Sequence, residues 1–484
     1  MIKKFKLVIS PSLVGVALLT TATLAQSQTT SPCAVSGTSA NNLAVCSASF
    51  LGGSSDDDGS AVEIAPDKTV VFAGTIIGNN FGKIPLNLKA GNSTAYGGNG
   101  TIIRTDSSGK TILSVTRLGS AINDMDINRS NGRIAVVGSF GLAVLSSQGN
   151  QVAWSRNTNN GAGGGATISA GRRVAVGKNG EVAALFNKQV TVYDGNGNQL
   201  GQFTPSGTYV EDVAVDSTTG SVIVTGFSQK DGGGCSQLQV AFIRGYSYNG
   251  TLKWKDYDWS HSQAYSANSS CADTRGYRVA IGRDNMLYFA GESAGGNSIY
   301  RYNSRNLSAN APNVAFDKYN TAYQTRANQI SYYARLNPST GEIQKGQFAL
   351  SRLSNNDGNT IKARAITADE KGNVYVSGIS AAYIANRSNQ TISSQRVGTY
   401  TGGDGFLLVI PPDFNSRKIW TGWTGSNSSG GFSSTIYGVS AANGVAAIMA
   451  SQTGNMITVN PIQRNNPGGK NAFFSVFPSF TVNP

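Results

Sequence analysis

Histidine is almost missing from this 484-residue chain, which carries one, His261. That excludes multi-histidine metal sites and confines imidazole acid–base chemistry to one residue. The four cysteines include no Cys-x-x-Cys pair, which argues against zinc knuckles and dithiol redox chemistry. Charged residues make up only 13% of the chain. No run of about 18 apolar residues follows the N-terminal stretch, so no later membrane span is expected. Gly161-Ala-Gly-Gly-Gly165 is followed by no Lys-Ser/Thr and is not a phosphate loop. Asp56-Asp-Asp58 and Asp194-Gly-Asn-Gly-Asn198 lack the closing Glu of an EF-hand and read as turns. No metal site and no cofactor constellation is expected.

What is present is glycine and β-forming residues. Gly reaches 59 residues, near twice its usual share, beside 19 Phe and 19 Tyr. Such a chain can bury a sizeable core and is not disordered in composition. Gly with Asn, Ser and Thr predicts many short strands joined by many turns. At the N-terminus, Lys3, Lys4 and Lys6 precede an apolar stretch over 13–19 and small residues over 20–25. That order predicts a secretory signal peptide over 1–25, cleaved after Ala25, and a secreted, periplasmic or cell-surface protein. Export suits disulfides. Of three formal pairings, the local ones, Cys33 with Cys46 and Cys235 with Cys271, are expected.

One unit recurs along the chain: a short apolar run, a polar turn, a β-rich run, then Gly and a small residue. Copies begin at Ala61, Asp124, Val174, Val213, Val279, Ala365 and Val439. Each reads as a β-hairpin, and a second hairpin usually follows, as over 102–115 around Asp106-Ser-Ser-Gly109 and over 240–254 around Tyr248-Asn-Gly250. A four-stranded unit cannot bury both faces alone, so neighbours must stack on it. The expected fold is therefore all-β: a seven-bladed β-propeller of four-stranded antiparallel blades over 44–484, preceded by an extension over 26–43. The segment 44–51 is placed to supply the outer strand of the last blade. The rest of that blade is expected from 445–450, 456–459 and 472–477. The copies at Val174 and Val439 depart from the pattern and leave the count open by one.

Ser49-Phe-Leu-Gly-Gly-Ser-Ser-Asp-Asp-Asp-Gly59, Ala61-Val-Glu-Ile64, the run 70–75 and the run 365–378 carry a likeness. On these residues the chain resembles the bacterial secreted β-propeller repeat (SBBP-type) family over most of 47–476. Trp154, Trp254 and Trp420, each late in a candidate outer strand, also resemble quinoprotein-type blades. The family resemblance implies an exported scaffold and no common activity.

The connections from second to third strand and from one blade to the next hold nearly all the added length, including 76–100, 155–171, 256–275, 292–329 and 380–404. Blades two and three keep short links at Phe140-Gly141 and Asn187-Lys188, which leaves a candidate groove above them. Long loops on a rigid scaffold are where binding residues sit. The formal net charge is +13, and many Arg and Lys fall in these loops. The candidate ligand-binding residues are Arg275, Arg301, Arg305, Tyr319, Arg326, Tyr383, Arg387, Arg396 and Tyr400. Basic groups with flat aromatics suit an acidic polysaccharide or a cell-surface protein, and export argues against nucleic acid. The expected function is non-enzymatic binding of an extracellular or envelope polymer or protein through this face. The alternative is a polysaccharide lyase or hydrolase with its site over the channel on that face, using His261 or a channel carboxylate, although a surface histidine is the plainer reading of His261.

Overall fold

The computed structural model describes residues 33–480 apart from 91–95, 158–170, 233–236, 269–271, 297, 312–313, 316–328, 354, 356, 385, 399–402, 424–433 and 455. The expected signal peptide and the pair Cys235 and Cys271 lie outside the described residues.

Among the described residues, strand-forming runs separated by Asn/Gly turns fold into seven sheets of four or five strands, with three smaller sheets besides. The first sheet takes Asp58–Ile64, Val70–Thr75, Gly100–Thr105 and Ile112–Arg117; the second, Ile122–Ile127, Ile134–Gly138, Gly141–Leu145 and Val152–Asn157. The third holds Gly171–Val176, Val182–Phe186, Gln189–Tyr193 and Gln199–Phe203; the fourth, Tyr209–Asp216, Ser221–Lys230, Leu238–Ser247 and Leu252–Tyr257. The fifth holds Thr274–Ile281, Leu287–Ser293, Ile330–Leu336 and Ile343–Ala349; the sixth, Ile361–Ala368, Val374–Ser380, Asp404–Ile410 and Ile419–Gly422. The seventh takes Ser434–Ala442, Val445–Gln452 and Asn471–Pro478 and is completed by Ser47–Leu51. Within each, consecutive strands pair antiparallel. Leu86–Asn87 and Val314–Ala315 add short parallel edges to the first and fifth. The two copies that departed from the repeat, at Val174 and Val439, both form complete sheets.

The strands are apolar on both faces because both faces are covered. The buried side chains fall into seven clusters, each shared by two successive sheets, including one between the seventh and the first. The first strands also touch in sequence order, and Ser434–Ala442 of the seventh sheet lies against Asp58–Ile64 of the first. The succession of contacts is thus cyclic.

The N-terminal strand behaves as its sequence suggests. Ser47–Leu51 pairs antiparallel with Asn471–Pro478, with Ser47 opposite Val476 and Leu51 opposite Ala472. Phe50 is buried edge-on to Phe473 at 5.4 Å. A Cys33–Cys46 disulfide closes the segment just before this strand, and the Cys46 N–H donates to the Val476 carbonyl at 2.8 Å. The segment 456–459, expected as a strand of the last sheet, instead makes only a bridge. There the Ala48 N–H donates to the Val459 carbonyl at 2.8 Å, because Asn471–Pro478 already occupies the inner edge of Ser47–Leu51.

Aromatic residues of the outer strands dock on the tight turns of the next sheet. Trp154 lies over the turn 194–198 and its Nε1–H donates to the Gly195 carbonyl at 3.1 Å. Phe203 lies over the turn at Gly250, where φ is +91° and a Cβ would stand 2.6 Å from the Phe203 Cβ. Gly is required there twice over, for the left-handed backbone and for the close approach. Trp254 repeats the contact, its Nε1–H donating to the Pro338 carbonyl at 3.2 Å. Trp420 departs from this pattern; it packs on Phe406 at 5.4 Å and under the Arg417 guanidinium.

Candidate functional site

The two ends of the sheets differ. At one end the connections are tight, the longest being 411–418. At the other, second strands pass to third strands and each sheet passes to the next. The strand ends that bound the long connections lie there: Thr75 and Gly100, Lys230 and Leu238, Tyr257 and Thr274, Ser293 and Ile330, Ser380 and Asp404, Gln452 and Asn471. The links 139–140 and 187–188 there stay short, so the second and third sheets form a low rim. The elaboration is one-sided, as the sequence predicts.

Every first strand carries a β-bulge at this elaborated end. The register steps across Ser60, Asn123, Arg172, Glu211, Tyr277, Arg364 and Tyr437, one in each sheet, leaving each opposite no partner. A bulge re-aims the side chains next to it, and from there the alternation of a strand sends every second residue inward. Residues one step past the bulge form a first layer: Ala61, Asp124, Arg173, Asp212, Arg278, Ala365 and Gly438. Those two steps further form a second, beginning with Glu63 and Asp126. Both layers line one cavity of about 150 Å³ to which all seven sheets contribute.

The cavity holds two charge quartets. In the outer one Arg173 stands 3.9 Å from both Asp124 and Asp212. Asp124 accepts the Val174 N–H at 3.1 Å, and Asp212 the Val279 N–H at 3.0 Å. These carboxylates therefore stitch adjacent sheets as well as facing arginine. Arg278 donates to the carbonyls of Tyr277, at 2.7 Å, and Arg364. Burial pushes the Asp212 carboxyl up to about 6 against the pull of Arg278 and Arg173, and holds the Arg278 guanidinium down to about 10.

The inner quartet is Glu63, Asp126, Arg129 and Arg283. Ser440 donates to Glu63 at 2.9 Å and Arg283 lies 3.8 Å from it. Arg129, from a turn of the second sheet, reaches the carbonyls of Ile281 and Gly282 in the fifth, the latter at 2.7 Å. Arg283 reaches the Ile64 carbonyl in the first sheet at 3.2 Å. Two arginines thus bridge the cavity near its tight-turn end, and the seven bulges ring its elaborated end, called the mouth. Burial, then the neighbouring Asp126, pushes the Glu63 carboxyl upward.

Around the mouth lies a ladder of rings and guanidinium groups. Tyr209, 48% exposed, stacks on Phe227 at 4.6 Å. Phe227 meets the edge of Tyr277 at 6.5 Å and the Arg275 guanidinium at 5.7 Å. Arg364 covers Tyr277 at 5.0 Å. The Tyr277 hydroxyl donates to Glu292 at 3.0 Å, and Arg275 pairs with the same carboxylate at 2.6 Å. Beside them Arg172 pairs with Glu211 at 3.2 Å. Among the described residues, neither Arg173 nor Arg364 donates a side-chain hydrogen bond.

Of the nine candidate residues from the sequence, Arg275 enters this ladder. Arg305 is turned to the scaffold, donating to both Asp256 oxygens at 2.9 and 3.2 Å. Arg387 is 1% exposed and paired with Asp404 at 2.6 Å, a core ion pair rather than a surface charge. Arg301 closes a short 3-10 turn, Ile299–Arg301. Tyr383 is 44% exposed and Arg396 is exposed on the ribbon strand Gln395–Arg396. Tyr319, Arg326 and Tyr400 lie outside the described residues.

His261 departs from the surface reading: it is buried and stacks on Tyr265 at 6.0 Å. It opens a helix, His261–Asn268, and does not line the cavity. The sequence does announce that helix. Ser260-His-Ser-Gln263 is a capping box, with the Gln263 amide oxygen accepting the Ser260 N–H at 3.1 Å and Ser260 Oγ accepting the Gln263 N–H at 3.3 Å. The aspartate runs act as turns: Asp57 accepts N–H groups from Gly53 at 2.7 Å and Ile77 at 2.6 Å, and Asp194 accepts those of Asn196 and Asn198, both at 2.8 Å.

Tyr209, Tyr277, Arg173 and Arg364 escape a reading built on loop length. Aligning the repeats on their apolar runs would have exposed most of them. The residue pairs before those runs, Arg172-Arg173, Glu211-Asp212 and Tyr277-Arg278, then fall in one column.

No family model and no curated protein matches the chain. Among solved structures it is similar to one described as the structure of U3-55K, at 9% identity and a TM-score of 0.47, covering 90% of this chain and 99% of that one. It is likewise similar to the RRP9 WD40 repeats, at 10% identity and a TM-score of 0.48, covering 90% of this chain and 99% of that one.

Proposed function

We propose that the seven sheets are the blades of an exported seven-bladed β-propeller that binds a partner, without chemistry, at the elaborated end of its axial channel. The cyclic order of first-strand contacts and the completion of the seventh sheet by Ser47–Leu51 support the architecture. The observation that carries the function is the coincidence of three features at one end. The long connections, the ring of seven bulges around the channel and the exposed Tyr209 and Tyr437 all gather there, while the other end carries tight turns and the bridging Arg129 and Arg283. A rigid scaffold with its variable loops and exposed aromatics on one face is built for recognition. The lone imidazole stands away from the channel and supplies no base there.

The test compares the two ends. Tyr209→Glu with Tyr437→Glu alters the mouth; Lys178→Glu with Arg133→Glu alters the tight-turn end. Retention of each purified variant by isolated cell-surface material from the source cells is measured by sedimentation. The first pair should abolish retention and the second leave it intact. Equal effects, or loss only with the second pair, overturn the proposal.

A further inference from the structure

The mouth ladder has a chemistry of its own, and the following rests on the binding role proposed above. We propose that Tyr209, Tyr277, Arg173 and Arg364 form a subsite for a hexuronate unit of an acidic polysaccharide. Three observations converge on it. First, Tyr209 presents an exposed ring backed by Phe227 at 4.6 Å, so its orientation is fixed before a ligand arrives. A flat, pre-set aromatic face suits the C–H face of a pyranose and needs little ordering on binding.

Second, the charges near the mouth are unequally matched. Arg172 is paired with Glu211 and Arg275 with Glu292. Arg364 rests on Tyr277 at 5.0 Å without an acid beside it, and Arg173 meets its two carboxylates only at 3.9 Å. Arg173 lines the cavity with Arg278, whose guanidinium donates to the Arg364 carbonyl. Two forks with unused donors beside an aromatic face match a carboxylate carried on a sugar ring.

Third, Glu211 and Glu292 already accept from protein groups; Glu292 is buried, while Glu211 is partly exposed and keeps a second oxygen with which to meet a hydroxyl. Those acids would repel the dense charge of a phosphate polymer, whereas one carboxylate per sugar ring, separated by neutral hydroxyls, fits the alternation. An acidic peptide supplies the carboxylate but not a stacking face for Tyr209.

The experiment is titration calorimetry of the purified chain with trigalacturonate, with maltotriose as the neutral sugar and tri-glutamate as the acidic peptide. Trigalacturonate should bind, more weakly as salt rises, while maltotriose and tri-glutamate bind at least about tenfold more weakly. Arg364→Gln and Tyr209→Ala, both outside the core, should each weaken trigalacturonate by about tenfold or more. Their circular dichroism and melting should match the parent chain. No binding of trigalacturonate at low salt overturns the assignment, as does an affinity untouched by both substitutions or matched by tri-glutamate. Trigalacturonate failing while the mouth variants still lose sedimentation refutes the sugar class and leaves the binding face standing. Both failing removes the face as well.

Discussion

Replacing Arg387 tests whether a loop arginine that looks like a ligand contact is part of the core. Its Nε donates to Asp404 at 2.6 Å, and the two side chains are 1% and 2% exposed. The guanidinium also reaches the carbonyls of Val397 and Gly398, while Asp404 accepts the Trp423 N–H at 3.3 Å. Arg387→Met removes the cation and leaves a carboxylate buried without its counter-charge, which costs about 3–5 kcal/mol. Replacing both partners, Arg387→Met with Asp404→Leu, removes the stranded charge. The double variant should recover to within about 1–2 kcal/mol of the parent, short by the lost acceptor of Trp423. Equilibrium urea unfolding followed by tryptophan fluorescence reads both, since Trp423 lies against the pair. An Arg387→Met variant within about 0.5 kcal/mol of the parent, or a double variant worse than the single, would refute the reasoning.

Two further outcomes follow from the channel and from the N-terminal clasp. Burial holds Asp212 at about 6, so between the ordinary aspartate value and that point the folded chain binds more protons than the unfolded one. Stability contributed by this group therefore falls as pH rises through that window, by up to about 3 kcal/mol. Asp212→Asn should flatten that slope between pH 4 and 7 in urea midpoints, and parallel curves for parent and variant would reject it. Cys33→Ser with Cys46→Ser opens a bond between residues 13 apart. It should lower stability by up to about 3 kcal/mol and speed amide exchange over 47–51; unchanged exchange there would show that the bond does not hold the strand.

Period, turn chemistry and strand length carried the sheets, because nearly all their strands pair antiparallel with a neighbour along the sequence, through turns written in that sequence. Even the long-range pairing of 47–51 was readable, since an apolar run before the first repeat has nowhere else to be covered. The site was less readable. Arg387 and Arg305 looked like surface charge because loop position says nothing of a partner distant in sequence; Asp404 and Asp256 decide their fate only once folded. The channel charges were hidden for the opposite reason. Asp124 and Arg173 sit inside β runs, where a lone charge reads as a solvent-facing position, and only the bulge turns it inward. His261 misled because a capping box beside it was read as loop.

The Ser475 hydroxyl donates to the Ser47 carbonyl and joins residues 428 apart. A nascent chain emerging from its N-terminus can assemble the intervening hairpins one after another, yet its earliest strand must wait for almost the last. Until then that strand has an unsatisfied edge, and the seventh sheet lacks its fourth strand. The loss of residues over 471–478 would strip both 47–51 and 445–452 of their partner at once, at opposite termini of the polypeptide.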